Sequence, residues 1–333
     1  MNFSLRLVFW ESTARCNLAC VHCRRIDTAE AAAGDDLSTD EAIGLIESAA
    51  SIGRPIFVFS GGEPLMRDDW RRLADHARSL GLPTALATNA TLIDAPLADQ
   101  IAGAAFQRVS VSLDGADAST HDRFRGVPGC FDRAIAGIAA LRGAGAALQI
   151  NTTVTSHNVD QLDSIYRLAV DLGAVALHLF VLVPVGCGAQ LAQSHQLSPA
   201  AYERVLHWVC DRQESGERLE LKATCAPEYY RVAARRGMDV GHSRGCLAGL
   251  SVVFVSHKGD VFPCGYLPLN CGNIRERPLE DIWRDSPILA DLRDFDLLEG
   301  HCGACEYKGI CGGCRARAYA ATGNYQAADP LCD

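Results

Sequence analysis

The chain has 333 residues, of which 48% are hydrophobic, and a formal net charge of −9 at pH 7. This length accommodates a full α/β domain and a smaller one, and a negative charge without a basic block argues against nucleic acid or a membrane surface as a partner. The N-terminus lacks a secretory signal pattern, and no run approaches the roughly 18 apolar residues of a membrane span, so we expect a cytoplasmic enzyme.

The most unusual feature of the composition is its fifteen cysteines. In a small secreted protein they would indicate disulfides. In a chain of this length without a signal sequence, metal binding or redox chemistry is the better interpretation.

The first strong pattern is the run Cys16-x3-Cys20-x2-Cys23, which follows an apolar stretch over 5–10 that predicts a β-strand. Three thiolates on one loop can hold three irons of a cubane cluster and leave the fourth iron open. An open metal position is typical of a catalytic site. The alternatives are a zinc site that lacks its fourth ligand, or simple core cysteines, but zinc ribbons normally use CxxC pairs.

Strand-like and helix-like segments alternate from this loop to about residue 190. Six β-α repeats predict parallel strands with right-handed crossovers, that is, a (β/α)6 partial TIM barrel whose chemistry lies at the C-terminal ends of its strands. A capping box, Ser38 with Glu41, marks the start of the first helix. The predicted strands cover 5–10, 56–60, 84–88, 108–113, 148–154 and 178–183, and the predicted helices cover 39–51, 68–80, 95–104, 130–144 and 159–172.

Polar motifs follow these strands where the barrel would place a ligand. Gly61-Gly62-Glu63 follows the second strand, and paired glycines allow a backbone to approach a ligand closely. Arg125 lies downstream of the fourth strand, and its planar fork suits a carboxylate. Taken alone, the glycines could be a plain turn and the arginine a surface ion pair.

These motifs, in this order, resemble the radical S-adenosylmethionine (SAM) enzymes, whose cluster loop reads C-x3-C-x-aromatic-C. The resemblance implies that Cys16, Cys20 and Cys23 hold a catalytic [4Fe–4S] cluster whose open iron chelates the amino and carboxylate groups of SAM. It also implies that the GGE motif contacts the SAM amino group and that Arg125 binds its carboxylate. The implied SAM site consists of His22, Gly61, Gly62, Glu63, Asn89, Ser112, Arg125, Thr153 and Leu182. The family often has glycine at the position of Ala90, so a left-handed turn is less expected there.

A second cysteine array begins at Cys246. Residues 302–314 alone could form a four-thiolate zinc knuckle. The whole array resembles the SPASM domain of radical SAM enzymes, with one departure, since two residues rather than three separate Cys311 from Cys314. The array consists of Cys246, Cys264, Cys302, Cys305, Cys311, Cys314 and Cys332.

The SPASM resemblance implies two auxiliary [4Fe–4S] clusters. Cys302, Cys305, Cys311 and Cys332 would hold one cluster. The other would be held by Cys246, Cys264 and Cys314, with Cys225, Cys271 or an iron left open for substrate at the fourth position. Three further cysteines without a motif, Cys130, Cys187 and Cys210, are expected in the core. The expected domains are a barrel core over 1–195, a helical linker over 196–244 and the SPASM domain over 245–333.

Several stretches resemble the tetrapyrrole-modifying branch of these enzymes, which includes the alternative haem synthase (an iron-coproporphyrin III decarboxylase) and a haem d1 enzyme. They include 121–129 (HDRFRGVPG), 149–155 (QINTTVT) and 222–231 (KATCAPEYYR). The resemblance implies oxidative decarboxylation or another side-chain modification of an iron-tetrapyrrole. Two departures are Cys187, where the family tends to have arginine, and Glu228, where it tends to have histidine. Cations that could pair with substrate carboxylates are Lys222, Arg231, Arg315 and Arg317.

Two other functions stay open on the sequence. A SPASM peptide maturase would oxidise or cross-link a ribosomally made peptide, although only fifteen residues precede Cys16 and a peptide-recognition domain would have to be a separate protein. A non-catalytic iron–sulfur carrier would not need the GGE motif or Arg125. For a radical SAM enzyme we also expect a low-potential electron donor such as flavodoxin or ferredoxin.

Overall fold

The computed structural model describes residues 3–24, 34–216, 219–241 and 244–332. Within them, ten strands form one sheet in the order β10-β9-β8-β1-β2-β3-β4-β5-β6-β7. Strands β1 to β6 pair in sequence order, each parallel to the next. The predicted (β/α)6 partial barrel is therefore confirmed. The strands are β1 (Leu7–Glu11), β2 (Ile56–Ser60), β3 (Thr84–Thr88), β4 (Arg108–Ser112), β5 (Leu148–Val154), β6 (Ala176–Val181), β7 (Glu220–Thr224), β8 (Val252–Val255), β9 (Asp260–Phe262) and β10 (Gly272–Asn273).

Helices connect the parallel strands and cover the sheet. Helix α1 begins at the predicted capping box, in which Ser38 accepts from the Glu41 amide and Glu41 accepts from the Ser38 amide. The helices are α1 (Thr39–Ile52), α2 (Trp70–Ser79), α3 (Ala95–Gly103), α4 (Ala118–Arg125), α5 (Cys130–Gly143), α6 (Leu162–Asp171), α7 (Ala192–His195), α8 (Pro199–Glu214), α9 (Tyr229–Arg235), α10 (Leu279–Asp285), α11 (Pro287–Arg293), α12 (Gly300–Ala304) and α13 (Arg315–Thr322). Short 3-10 turns cover Pro64–Met66, Val159–Gln161, Gly186–Leu191 and Phe295–Leu297.

The structure corrects the predicted helical linker. The segment 196–244 contains helices α8 and α9 but also strand β7, which pairs with β6 in parallel. At the opposite side, strand β8 from the predicted SPASM region pairs in parallel with β1. The barrel sheet therefore continues into both later segments, and the boundaries at 195 and 244 stay predictions.

Helix α4 was absent from the predicted elements because its sequence, ASTHDRFR, shows little apolar periodicity. Local polar signals set its ends instead. Asp117 accepts from the Thr120 amide at the start, and Gly126 closes the last turn in the left-handed conformation at φ 72°. This short helix matters because Arg125 is its last residue.

The core is one large cluster of apolar side chains between the sheet and its helices, and it includes Trp10, Phe57 and Phe59 on neighbouring strands. Cys130 and Cys210 are fully buried, as expected, whereas Cys187 is partly exposed. Among the described residues, no helix has the length and apolar character needed to cross a membrane.

Candidate functional site

The predicted SAM-site residues lie along one edge of the sheet. Because β1 to β6 run parallel, the loops that follow Glu11, Ser60, Thr88, Ser112 and Val154 all leave the sheet at its C-terminal edge. The Cys16 loop follows the first of these strands. The motifs therefore lie side by side along this edge, in the order in which they occur in the sequence.

The loop that carries Cys16, Cys20 and Cys23 packs against the end of helix α4. The Val21 amide donates to the Phe124 carbonyl at 3.1 Å, and the His22 ring stacks on Phe124 with a centroid distance of 3.9 Å. A side chain at Gly126 would clash with the Ala19 carbonyl, so close packing of the loop requires glycine there. Burial raises the pKa of Cys16 to about 11.

His22 lies within the cluster loop, between Cys20 and Cys23, and is neutral. Burial lowers the pKa of His22 to about 4, more strongly than the nearby Asp114 raises it. Leu182 lies close by, because Gly188 contacts both Leu182 and the His22 backbone, and the Gly188 amide donates to the Cys23 carbonyl at 3.3 Å.

The GGE motif packs on the backbone just before the cluster loop. Side chains at Gly61 and Gly62 would clash with the backbone of residues 13–15, and the Glu63 amide donates to the Arg15 carbonyl at 2.8 Å. The glycines therefore allow a close approach to the chain's own backbone, a role that the sequence analysis did not predict.

Glu63 is fully buried and joins the second strand end to the third. Its carboxylate accepts from the Thr88 hydroxyl at 2.7 Å and from the Asn89 amide at 2.8 Å. Burial raises the pKa of Glu63 to about 7. Both carboxylate oxygens thus have a partner on the next strand end, within the chain itself.

Asn89 connects the third strand end to the cluster loop, since its side-chain amide donates to the Asn17 side chain at 2.9 Å. Ala90 has φ 61°. The left-handed turn is therefore present despite the alanine, contrary to the expectation from sequence. Packing explains why it is retained, because the Ala90 carbonyl lies against Gly137 of α5, where any side chain would clash.

Arg125 does not stand free at the site. Its Nη2 lies 2.5 Å from the Asp114 carboxylate, and its Nη1 lies 3.6 Å from the Cys20 sulfur. Thr153 donates its amide to the same Asp114 carboxylate at 2.7 Å, and Ser112 ends strand β4 two residues before Asp114. Asp114 is the residue that the sequence analysis missed, although a carboxylate two residues after a strand end and near a predicted arginine was a usable signal.

Four of the SPASM cysteines line one small cavity in the C-terminal region. They come from α12, the loop after it and the C-terminus, and Arg231 closes one side. Backbone amides point at these sulfurs, with Gly313 N 3.4 Å from Cys311 and Asp329 N 3.5 Å from Cys302. The four are Cys302, Cys305, Cys311 and Cys332.

A second group of thiols includes a cysteine from outside the SPASM motif. Cys225, which follows β7, packs in one apolar cluster with Cys264 and Cys314. Burial raises the pKa of Cys225 well above its usual value, and the charges of Cys314, Cys264 and Cys246 raise it further, so all four are neighbours. Cys271 has different surroundings, since Ser286 and Arg293 are the neighbours that act on its pKa.

The predicted substrate cations are mostly committed to the protein, which corrects that expectation. Arg317 forms a buried bidentate pair with Asp329, at 2.8 and 2.9 Å. Arg315 is buried, and its guanidinium donates to the carbonyls of Tyr325 and Ala327. Arg231 pairs with Glu203 at 2.6 Å, and Lys222 alone of the four stays exposed.

Glu228, one of the two departures from the tetrapyrrole-modifying pattern, is fully buried rather than exposed to a substrate. It hydrogen-bonds with the Tyr202 hydroxyl and lies 3.7 Å from Arg317. Burial raises the pKa of Glu228 to about 8. Its carboxyl group is therefore part of a buried polar network and does not face solvent.

The cysteines of both arrays carry free thiols. None of the ten predicted ligand cysteines, all within the described residues, forms a disulfide. In the same parts of the chain, no three His, Cys, Asp or Glu side chains are close enough to hold a single metal ion.

Family comparisons agree with this geometry. The model of the Radical SAM superfamily matches residues 10–169, and the SPASM model, described as an iron-sulfur cluster-binding domain, matches residues 246–315. The chain belongs to the radical SAM superfamily and carries a SPASM domain. It is a radical SAM enzyme that uses a [4Fe–4S] cluster and SAM, with further iron–sulfur binding in the SPASM domain.

Two relatives and one solved structure are similar to this chain. The chain is 49% identical to the AdoMet-dependent heme synthase of Methanosarcina barkeri, over 98% of this chain and 96% of the relative. It is 32% identical to the PqqA peptide cyclase of Xanthomonas euvesicatoria pv. vesicatoria, over 98% and 87%. Streptococcus suis SuiB bound to its precursor peptide SuiA shares the fold, with a TM-score of 0.79, 20% identity and coverage of 100% of this chain and 76% of that one.

Proposed function

We propose that this enzyme converts propionate side chains of an iron-tetrapyrrole into vinyl groups, as a haem synthase. The observation that carries the proposal is the identity of 49% with a heme synthase over nearly the full length of both chains. In that reaction each propionate would lose one β-hydrogen, one electron and CO2.

We propose three ligand sets for the clusters. Cys16, Cys20 and Cys23 would hold the catalytic cluster and leave one iron for SAM. The cavity thiols Cys302, Cys305, Cys311 and Cys332 would hold one auxiliary cluster. Cys246, Cys264 and Cys314 would hold the other, with Cys225 as the fourth ligand, because Cys225 packs in one apolar cluster with Cys264 and Cys314 whereas Cys271 packs against the main core.

When bound, the catalytic cluster with SAM would supply the radical that removes the hydrogen, and the auxiliary clusters would accept the remaining electron. The chain's own residues would bind, orient and exclude water. His22, within the cluster loop, and Leu182 would lie next to the cluster. The second and third strand ends would line the same site with Gly61, Gly62, Glu63 and Asn89. Ser112 and Thr153 would complete the SAM site at the fourth and fifth strand ends, and Arg125 would lie beside the sulfur of the cluster ligand Cys20.

The proposal is tested with anaerobically reconstituted enzyme, a chemical reductant, SAM and iron-coproporphyrin III. We expect 5′-deoxyadenosine, CO2 and a product with the absorption spectrum of haem. Cys20→Ala is the control and is expected to form none of the three. SAM cleavage without CO2 release in the wild type would contradict the tetrapyrrole substrate while leaving the radical chemistry in place.

A peptide maturase is the second candidate, favoured by the 32% identity to a PqqA peptide cyclase. If the porphyrin assay fails, the test is whether SAM cleavage becomes coupled to mass loss in a short peptide encoded beside this protein. A substrate-dependent mass change of two hydrogens would favour this candidate over the first.

Two further features belong to the proposal. We expect a low-potential flavodoxin or ferredoxin as the electron donor, since reduction of the catalytic cluster needs one. A cytoplasmic location fits as well, because ten cluster thiols must stay reduced until iron binds. Purified donor proteins can be tested by replacing the chemical reductant in the assay above.

A further inference from the structure

A buried carboxylate, Asp114, connects several parts of the catalytic site. It lies two residues beyond β4, is fully inaccessible to solvent and accepts from the Thr153 amide at 2.7 Å. Its Oδ2 lies 2.5 Å from Arg125 and 3.5 Å from the His22 ring. The nearest charged partner of this carboxylate is therefore Arg125.

Arg125 and Asp114 form an ion pair within the protein. Burial alone would raise the pKa of Asp114, but Arg125 and the nearby histidines outweigh it and keep the pKa below its usual value. Both groups are charged, so neither is free to move without leaving a buried charge unpaired.

The ion pair determines where the guanidinium points. With Nη2 committed to Asp114, Nη1 lies 3.6 Å from the sulfur of Cys20. Arg125 Nε has no hydrogen-bond partner among the described residues. The planar fork cannot rotate about one fixed nitrogen without losing the contact of the other.

We propose that Asp114 is a positioning residue of the catalytic cluster: it holds Arg125 so that the guanidinium donates a hydrogen bond to the Cys20 sulfur. This inference rests on the proposed ligand set Cys16, Cys20 and Cys23. It assigns Arg125 to the cluster sulfur, whereas the family resemblance implied the SAM carboxylate.

A donor at this sulfur has a measurable electronic effect. Reduction adds negative charge to a cluster, and hydrogen bonds to its sulfurs stabilise that charge and raise the reduction potential. A clamp on the SAM carboxylate would instead act on SAM affinity. The two roles can therefore be separated by measuring the potential and the dissociation constant independently.

The test uses variants that keep every charge, since removal of a charge would shift the potential by itself. Arg125→Lys retains the ion pair with Asp114 but loses the fork, and Asp114→Glu moves the anchor by one methylene. Arg123→Lys is the matched control, because Arg123 is an exposed arginine on the same helix. Each full-length protein is reconstituted anaerobically, and iron content confirms that all clusters are loaded.

The readouts are the midpoint potential of the EPR signal that responds to SAM, and the SAM dissociation constant from titration of that response. We expect a lower potential in Arg125→Lys and in Asp114→Glu, with SAM affinity within about twofold of wild type and no change in Arg123→Lys. An unchanged potential in the two site variants overturns the inference, whether or not SAM affinity falls. Wild-type protein without any SAM-responsive signal would overturn the ligand set itself, and the inference with it.

Discussion

The proposed catalytic and auxiliary sites both consist of cysteine thiols, but they differ in how far apart these cysteines lie in the sequence. The three catalytic cysteines come from one loop of eight residues, and all three are partly exposed. The seven proposed auxiliary cysteines span residues 246–332, and Cys302, Cys311 and Cys314 are buried while the other four are partly exposed. An open site has to admit SAM and substrate, whereas a closed site needs only to hold its cluster and exchange electrons. How far each site is closed to solvent therefore depends on the tertiary structure. Four sets of variants test this difference, with expected effects that decrease from the catalytic loop to the start of α1.

The catalytic loop is expected to tolerate no loss of a thiol. Cys20→Ala should reduce SAM cleavage to background and remove about four iron atoms per chain, because two thiols cannot retain the cubane. Chromatographic detection of 5′-deoxyadenosine and iron analysis provide the measurements. Cys210→Ala, in the core of α8 and away from any cluster, should keep the iron of wild type; cleavage that persists in Cys20→Ala would refute the ligand set.

The auxiliary site is expected to depend on a thiol outside the SPASM motif. Cys225→Ala should alter the low-temperature EPR spectrum of one auxiliary cluster and lower the iron content by at least about one atom per chain. Cys271→Ala is the matched control and should match wild type in both measurements. The reverse pattern would assign the fourth position to Cys271, and no change in either variant would indicate an open iron.

The buried ion pair between the auxiliary sites is expected to be essential for stability. Asp329→Asn leaves the fully buried Arg317 without its charge partner, which typically costs about 3–5 kcal/mol in the free energy of unfolding. Anaerobic urea titration measures the loss. Asp75→Asn weakens the exposed pairs with Arg71 and Arg78 and should cost no more than about 1 kcal/mol; equal effects of the two variants would contradict the role assigned to burial.

The smallest expected effect is at the start of α1, in the barrel half. Ser38→Ala removes the capping box and should lower the free energy of unfolding by about 1 kcal/mol. Ser79→Ala near the end of α2 removes an exposed hydroxyl that donates to the His76 carbonyl three residues earlier, and it should lower the free energy of unfolding by less than Ser38→Ala. A larger loss in Ser79→Ala than in Ser38→Ala would count against the cap as the cause.

Much of the barrel was predictable from the sequence. Strands β2, β3 and β5 have the predicted bounds, because each is a short apolar run between turn residues. Helix α4 and strand β7 were not predicted, since neither has a strong hydrophobic period and both depend on neighbours for stability. The predicted strand ends therefore indicated where the candidate site lies. The hydrophobic pattern of the sequence did not indicate which residues each site residue contacts.

The sequence alone determined the class of chemistry, because three closely spaced cysteines bring their sulfurs together whatever the rest of the chain does. It also determined the row of motifs, since parallel strands place their C-terminal ends at one edge. Only the tertiary structure decided that Asp114 occupies Arg125, that Glu63 binds the next strand end, and that Cys225 joins Cys246, Cys264 and Cys314. Such pairings depend on which side chains meet across distant segments, and linear spacing does not encode that geometry.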